Sequence, residues 1–397
     1  MASPRPGPCL SPPAPLARDL SRLWGLDPAY CFLNHGSFGA VPRAIRQATI
    51  AAQDRLESRP IELLGRRIGE LLAPSKAAVG AFLEMDPAAF GFVTNATEGV
   101  NAVLHSLEFR AGDELLTTSH VYNAVRKAMA FRARQCGATC VEVPLPLPIT
   151  SPDQVYTAVV EAITPRTRLL VIDQVTSPTA LIFPVEQLIA TCCERGIEVL
   201  VDAAHVPGML PVQVEKLGAT YWTGNLHKWC CAPKGCAVLW VDPARRADIH
   251  PATVSHFLDA GLAAEFEWQG TRDVAPWMQA GAAIAFMGQW GWDRVRAHNH
   301  QMAAWCQQML CGRWDVEPIS PADGSMLGSM CTVPLPVEVR SGFQTPEALQ
   351  VDLYERHRIE APIVDFGGRW HARASAQVYN RAEQYEALAQ AVLEYTR

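Results

Sequence analysis

No stretch of the 397-residue chain approaches the roughly 18 to 20 uninterrupted apolar residues that a membrane helix needs, so no membrane contact is expected. An excess of one charge is also missing. A net charge of −6, with 19% of residues charged, gives no electrostatic reason to expect nucleic acid or an acidic lipid surface, and a small-molecule substrate is the default. No apolar signal segment opens the sequence and there is no Cys-x-x-Cys pair. The twelve cysteines include the adjacent pairs Cys192-Cys193 and Cys230-Cys231, which points to reduced thiols in a cytoplasm, and no metal site is expected. What is present is 49% hydrophobic residues and enough length for a substantial core and more than one domain. Residues 1–16 are rich in Pro and Ser without periodicity and read as a mobile tail, with order beginning near Leu20. The division expected is a tail over 1–19, a large domain with its N-terminal segment over 20–280, and a small α+β domain over 281–397.

The most informative stretch is 198–241. Glu198 to Val201 reads as a buried strand that ends on Asp202 and runs into Ala203 and Ala204. A carboxylate at the end of a buried strand needs a cationic partner. Lys228 follows Asn225, Leu226 and His227, and Gly235 to Val241 makes another apolar strand. An Asp and a Lys brought to one sheet edge are what pyridoxal phosphate requires. The Asp keeps the pyridine nitrogen protonated, and the Lys amine forms the Schiff base.

Other segments fit the same sheet. Phe90 to Val93 reads as a strand, and Val100, Val103, Leu104 and Leu107 then follow a helical i, i+3, i+4, i+7 spacing. Between them lies Thr94 to Glu98, where Asn95 and Glu98 make a capping-box-like start that sets the helix N-terminus at Ala96. That end is an anion site, and the amides of Ala96 and Thr97 with the Thr97 hydroxyl suit a phosphate. Leu115 to Thr117 reads as a strand running into Ser119 to Asn123, where an aromatic ring, His120 or Tyr122, can lie flat on a pyridine ring. Arg168 to Val175 is another buried strand, followed by Ser177, and a helix starts near Pro184. Strand and helix alternate from 90 to 241, which predicts a mainly parallel sheet with helices on both faces and ligands at the carboxyl ends of its strands. Thr94, His120, Ser177, Asp202 and His205 all fall at those ends.

The motifs DAAHVPG at 202–208 and TGNLHKW at 223–229, with LNHGSFG at 33–39 and RASAQVYN at 373–380, resemble the class V aminotransferase group of fold-type I pyridoxal phosphate enzymes. The likeness is greatest to the branch that holds isopenicillin N epimerase and cysteine-lyase-like proteins. It implies an α/β large domain with a seven-stranded-type sheet, a smaller α+β domain, pyridoxal 5′-phosphate as cofactor, and a homodimer. Residue by residue, it implies Lys228 as the Schiff-base lysine, Asp202 at the ring nitrogen, His120 stacked on the ring with Tyr122 as the alternative, and His205 at the phenolic oxygen. Ser177 matches an Asn near that same oxygen, with a shorter side chain. Thr223, Asn225 and His227 become neighbours of the phosphate or of the Schiff base, and Thr271 crosses to the partner's phosphate. The turn Asn34, His35, Gly36, Ser37 lies over the substrate, and Arg373, or less favourably Arg369, grips its carboxylate. Desulfurases of the group carry a mobile-loop Cys about fifteen residues before that Arg; this chain has Arg358 there and no Cys from 332 to 397, so persulfide chemistry is not expected. Epimerase or racemase activity is expected ahead of β-lyase or aminotransferase activity, with a cofactor-binding regulator as the non-enzymatic reading.

Overall fold

The computed structural model describes residues 11–396. Its centre is a seven-stranded sheet: β1 (Phe90–Val93), β2 (Glu114–Thr118), β3 (Thr139–Val143), β4 (Thr167–Asp173), β5 (Glu198–Asp202), β6 (Tyr221–Asn225) and β7 (Ala237–Val241), in the spatial order β1-β7-β6-β5-β4-β2-β3. The run from β3 to β6 is parallel, and β7 is antiparallel to both β6 and β1. Leu169 to Ile172, Val199 to Val201 and Ala237 to Val241 are buried, because helices cover both faces of these strands, whereas the edge strand β3 keeps Thr139 and Glu142 exposed. The fold is therefore α/β of the fold-type I kind, as expected. The sequence reading did not anticipate β6. Its Tyr-Trp-Thr-Gly-Asn run carries polar and glycine residues that weaken the apolar signal, and only the single turn Val214–Leu217 separates it from β5.

From β2 the chain moves outward to β3, whereas β4, β5 and β6 proceed in the opposite direction. The reversal opens a crevice between the carboxyl ends of β2 and β4, the place where open α/β sheets take ligands.

The C-terminal part holds a three-stranded antiparallel sheet of β8 (Met330–Pro334), β9 (Ile363–Phe366) and β10 (Arg369–Ser375), packed on the long helix Trp292–Trp314. Cys31–Phe32 pairs in parallel with Ile359–Glu360, which brings the turn after Phe32 beside β10. Gly39 ends that turn at φ +67°, and a Cβ there would collide with the His227 carbonyl, so only glycine lets the turn close over the Lys228 segment. Of the stretch read as a tail, residues 1–10 lie outside the described residues, and Leu16 and Ala17 pack against the cluster of Trp24, Val378 and Tyr379.

Candidate active site

Lys228 stands in the turn between β6 and β7, where the amides of Leu226 and His227 both donate to the Cys236 carbonyl at 3.0 Å. Its Nζ lies 3.2 Å from His205 Nε2. The Trp229 indole N–H, which can only donate, meets His205 Nδ1 at 3.5 Å. His205 therefore accepts at Nδ1 and carries its proton at Nε2, and the Lys228 amine meets it with a lone pair. Burial and, after it, the Arg373 charge push the Lys228 amine down to about 7, which agrees with a neutral amine.

Asp202, the last residue of β5, is buried with Oδ1 accepting from the Ala204 amide at 2.9 Å. Burial raises it above the usual carboxylate range, and Lys228 pulls it back.

At the Ala96–Ser106 helix, Asn95 caps by accepting the Glu98 amide at 2.9 Å. The expected reciprocal arm is displaced: Glu98 Oε2 accepts from the amide and hydroxyl of Thr94, both at 2.6 Å. The Ala96 amide is engaged as well, donating to Asn225 Oδ1 at 2.9 Å. The anion site assigned to Ala96 thus moves to Thr97, with Asn225 tied to the same helix end. Thr223 is corrected out of the phosphate neighbours: its hydroxyl donates to the Val238 carbonyl at 2.9 Å, and its side chain is packed so closely under Gly99 that a Cβ there would strike it. His227 bonds Cys236 O through Nδ1 at 3.0 Å, and burial pushes it down to about 4.

Above Lys228 lies a cavity of about 840 Å³ whose walls include Gly36, Ser37, Tyr122, Ser177 and Arg373. Arg373 is buried on β10, and its guanidinium donates through Nη1 to the Ser177 carbonyl at 2.6 Å and through Nη2 to Ser37 Oγ at 3.1 Å. Nε is buried and, among the described residues, has no partner. Desolvation lowers Arg373 to about 10. Ser177 therefore orients Arg373, a role different from the phenolic-oxygen contact expected of it. Arg369, the alternative, is exposed at the start of β10.

Two expectations, for His120 and for the Asn34 to Ser37 turn, meet a different setting here. His120 is fully buried and does not line the cavity. One ring nitrogen bonds the Leu145 carbonyl at 2.8 Å and the other Thr179 Oγ1 at 2.6 Å, with Phe366 4.4 Å from the ring. Tyr122, the alternative, lines the wall. His35 is buried beneath Lys228: its Nε2–H donates to the Lys228 carbonyl at 2.9 Å and its Nδ1 accepts from Tyr379 Oη at 2.8 Å. Asn34 turns to Glu360 at 3.1 Å and, of the four turn residues, only Gly36 and Ser37 reach the cavity. Thr271 is exposed on the loop whose Arg272 approaches Glu98 at 3.9 Å, and it faces outward from this chain's own cavity.

The sequence model of the family described as Aminotransferase class-V matches residues 41–341. The chain belongs to the class-V aminotransferase family. Its relatives in the family include the isopenicillin N epimerase of Amycolatopsis lactamdurans, 31% identical across 94% of this chain and 96% of that protein. The putative L-cysteine desulfhydrase 1 of Oryza sativa subsp. japonica is 32% identical across 91% of this chain and 82% of that protein. In fold it is similar to a cysteine desulfurase from Thermococcus onnurineus NA1, with a TM-score of 0.79 at 18% identity, covering 97% of this chain and 99% of that one.

The class-V aminotransferase family uses pyridoxal 5′-phosphate, and the residues present fit that cofactor. A neutral buried amine at Lys228, a buried carboxyl at Asp202 and a helix N-terminus with the Thr97 amide are the three anchors its aldehyde, ring nitrogen and phosphate require. One buried carboxyl went unremarked in the sequence: Asp173, in register with Asp202. The signal was available, since RLLVID ends on an acid just as EVLVD does.

Proposed function

We propose that this pyridoxal-phosphate enzyme is an epimerase or racemase acting at the α-carbon of an amino acid. The observation that carries this reading is that two groups able to move a proton, Lys228 and Tyr122, both open onto one cavity of about 840 Å³. The epimerase relative, matched over nearly its full length, supports the same reading.

When bound, the cofactor supplies an electron-withdrawing ring that acidifies the α-hydrogen. Lys228 Nζ, lowered by burial to about 7, takes that proton in its neutral form. Asp202 would hold the proton of the ring nitrogen, and His205 Nε2–H would donate to the phenolic oxygen. Thr97, Asn225 and His227 would hold the phosphate. Arg373 binds the substrate carboxylate through a guanidinium already aimed by Ser37 and Ser177. The Tyr122 hydroxyl, or a water it holds, returns a proton to the other face of the α-carbon. A second copy of the chain completes each site through Thr271, giving a homodimer, and the free, largely buried thiols support a reducing cytoplasm.

The desulfhydrase relative supports β-elimination as a second reading. Incubating single enantiomers of several amino acids in deuterated water separates the two. Inversion with deuterium at the α-carbon is the expected result; pyruvate and sulfide from cysteine, without inversion of any substrate, would replace the epimerase by a β-lyase.

A further inference from the structure

Two adjacent strands of the sheet end on carboxyls. Asp173 closes β4 and Asp202 closes β5, in register with each other. Neighbouring strands run about 4.8 Å apart, and residues paired in a parallel ladder project from one face, so the two carboxyls are direct neighbours. Both are buried. Asp202 has the Ala204 amide on Oδ1 and the attraction of Lys228. Asp173 is supplied differently: the backbone amides of Tyr122 and of Asp173 itself face its carboxyl, while Oδ2 is buried and has no partner among the described residues. No Lys or Arg side chain among the described residues hydrogen-bonds it. The basic side chains nearby are Lys228, in the turn after β6, whose amine burial lowers to about 7, and Arg126, on the Asn123–Cys136 helix. Arg126 is already held by Glu142 at 2.6 Å and the Ser119 carbonyl at 3.0 Å.

Two ionised carboxylates cannot share such a place cheaply, so one proton stays with the pair. Both carboxyls receive backbone amides, so the difference between them lies in the second oxygen of Asp173. Asp173 has an oxygen with nothing donating to it, which is where a proton is tolerated, and a carboxyl O–H needs an acceptor that its neighbour's oxygen provides. Burial and the Asp202 charge both raise Asp173 well above the ordinary range.

We propose that Asp173 is a positioning residue, a protonated carboxyl that donates a hydrogen bond to Asp202 and holds the Asp202 carboxylate in place for the cofactor's ring nitrogen. The role holds whether inversion or β-elimination follows, so it stands or falls separately from the epimerase reading. It also keeps the charge balanced: the protonated ring meets one negative charge, on Asp202, and no second charge is left buried.

The test uses the cofactor-loaded protein with Asp173→Ala and Asp173→Asn. The Ala variant loses the donor and is expected to lower kcat about tenfold with KM within about twofold, the size of one lost hydrogen bond to a charged group. The Asn variant, whose side-chain N–H replaces the O–H, recovers most of that loss. The second readout is the pH titration of the visible absorbance of the bound cofactor. Asn replaces a neutral group by a neutral group and leaves the midpoint within about 0.3 units, whereas removing an ionised neighbour lowers it by about one unit or more. A midpoint lowered that far in Asp173→Asn, or an Asn variant as slow as the Ala variant, overturns the proposal. Should the Ala variant fail to fold, the Asn midpoint alone decides.

Discussion

Lys228, Asp202, His205 and Asn225, at the floor of the site, are each at most 9% exposed, and each side chain is hydrogen-bonded within the large domain. Along the wall the state is different: Phe38 is 72% and Tyr122 43% exposed, and β9 brings Val364 and Phe366 to the cavity from the smaller sheet. The floor is built from strand ends that sheet packing fixes, so it can hold one cofactor in one orientation. The wall is made of turns from separate parts of the chain, which tolerate change without disturbing the core. That contrast explains how one family contains an epimerase and desulfhydrases on the same sheet.

The largest effect is expected at the floor. Lys228→Ala should abolish covalent attachment of the cofactor and lower turnover on the order of a thousandfold or more. Mass spectrometry after borohydride reduction should locate the cofactor on Lys228. Lys234, whose Nζ donates to the Gly39 carbonyl at 3.0 Å, should carry none, and finding it there would dismantle the floor as described. Because Lys228 is depressed to about 7, the rate of cofactor attachment should rise through pH 7 and level off above it, while an ordinary lysine would keep rising toward pH 10.4 or so. The sign for stability is the same. The unfolded chain binds the Lys228 proton more tightly between pH 7 and the ordinary value, so the apoprotein gains stability as pH rises across that window.

Asp202→Asn comes next. It should leave a folded protein that binds cofactor. If the ring nitrogen loses two pKa units of proton affinity, about 2.7 kcal/mol, α-hydrogen exchange slows roughly a hundredfold. Wild-type exchange rates by proton NMR in deuterated water would remove Asp202 from its role. At the boundary between floor and wall, Arg373→Lys should raise KM for the amino acid about ten- to a hundredfold and change cofactor affinity little. An ammonium cannot make the paired bonds of a guanidinium already held by Ser37 and Ser177. An unchanged KM would point to a substrate without a free carboxylate.

How much was legible in the sequence follows the same division. Asp202 and Lys228 could be read because a charged residue that ends or follows an apolar run is conspicuous, and the helix start at Ala96 because its cap and periodicity are local. The strands at Phe90, Leu115, Arg168 and Glu198 were readable for the same reason. What could not be read was the direction of a side chain within a turn or a doubly buried strand. Thr223 bonds a neighbouring strand, which no local pattern shows. His35 was expected at the substrate but supports the Lys228 turn from below, because its partners Tyr379 and Lys228 are 344 and 193 residues away in sequence. Asp173 looks like an ordinary strand end because the neighbour that gives it meaning lies on another strand. Its significance appears only when β4 and β5 are laid side by side.

The smallest catalytic effect, and the sharpest test of where floor ends and wall begins, is expected at His120. Stacking on the cofactor was the sequence expectation; burial, two hydrogen bonds and contact with Phe366 make it part of the scaffold under the wall instead. Its Nε2–H donates to the Leu145 carbonyl, so Nδ1 must accept from Thr179, and burial holds the ring neutral, pushed down to about 4. His120→Ala removes both bonds and leaves a void, a loss of about 3 kcal/mol that calorimetry should register as a fall in Tm of several degrees. The surviving folded fraction should keep kcat within about threefold of wild type. Tyr122→Phe should do the reverse, slowing inversion while leaving Tm nearly unchanged, since the Tyr122 side chain is on the open wall. A His120→Ala protein of wild-type stability whose kcat fell as far as that of Asp202→Asn would return His120 to the cofactor and take Tyr122 off the opposite face.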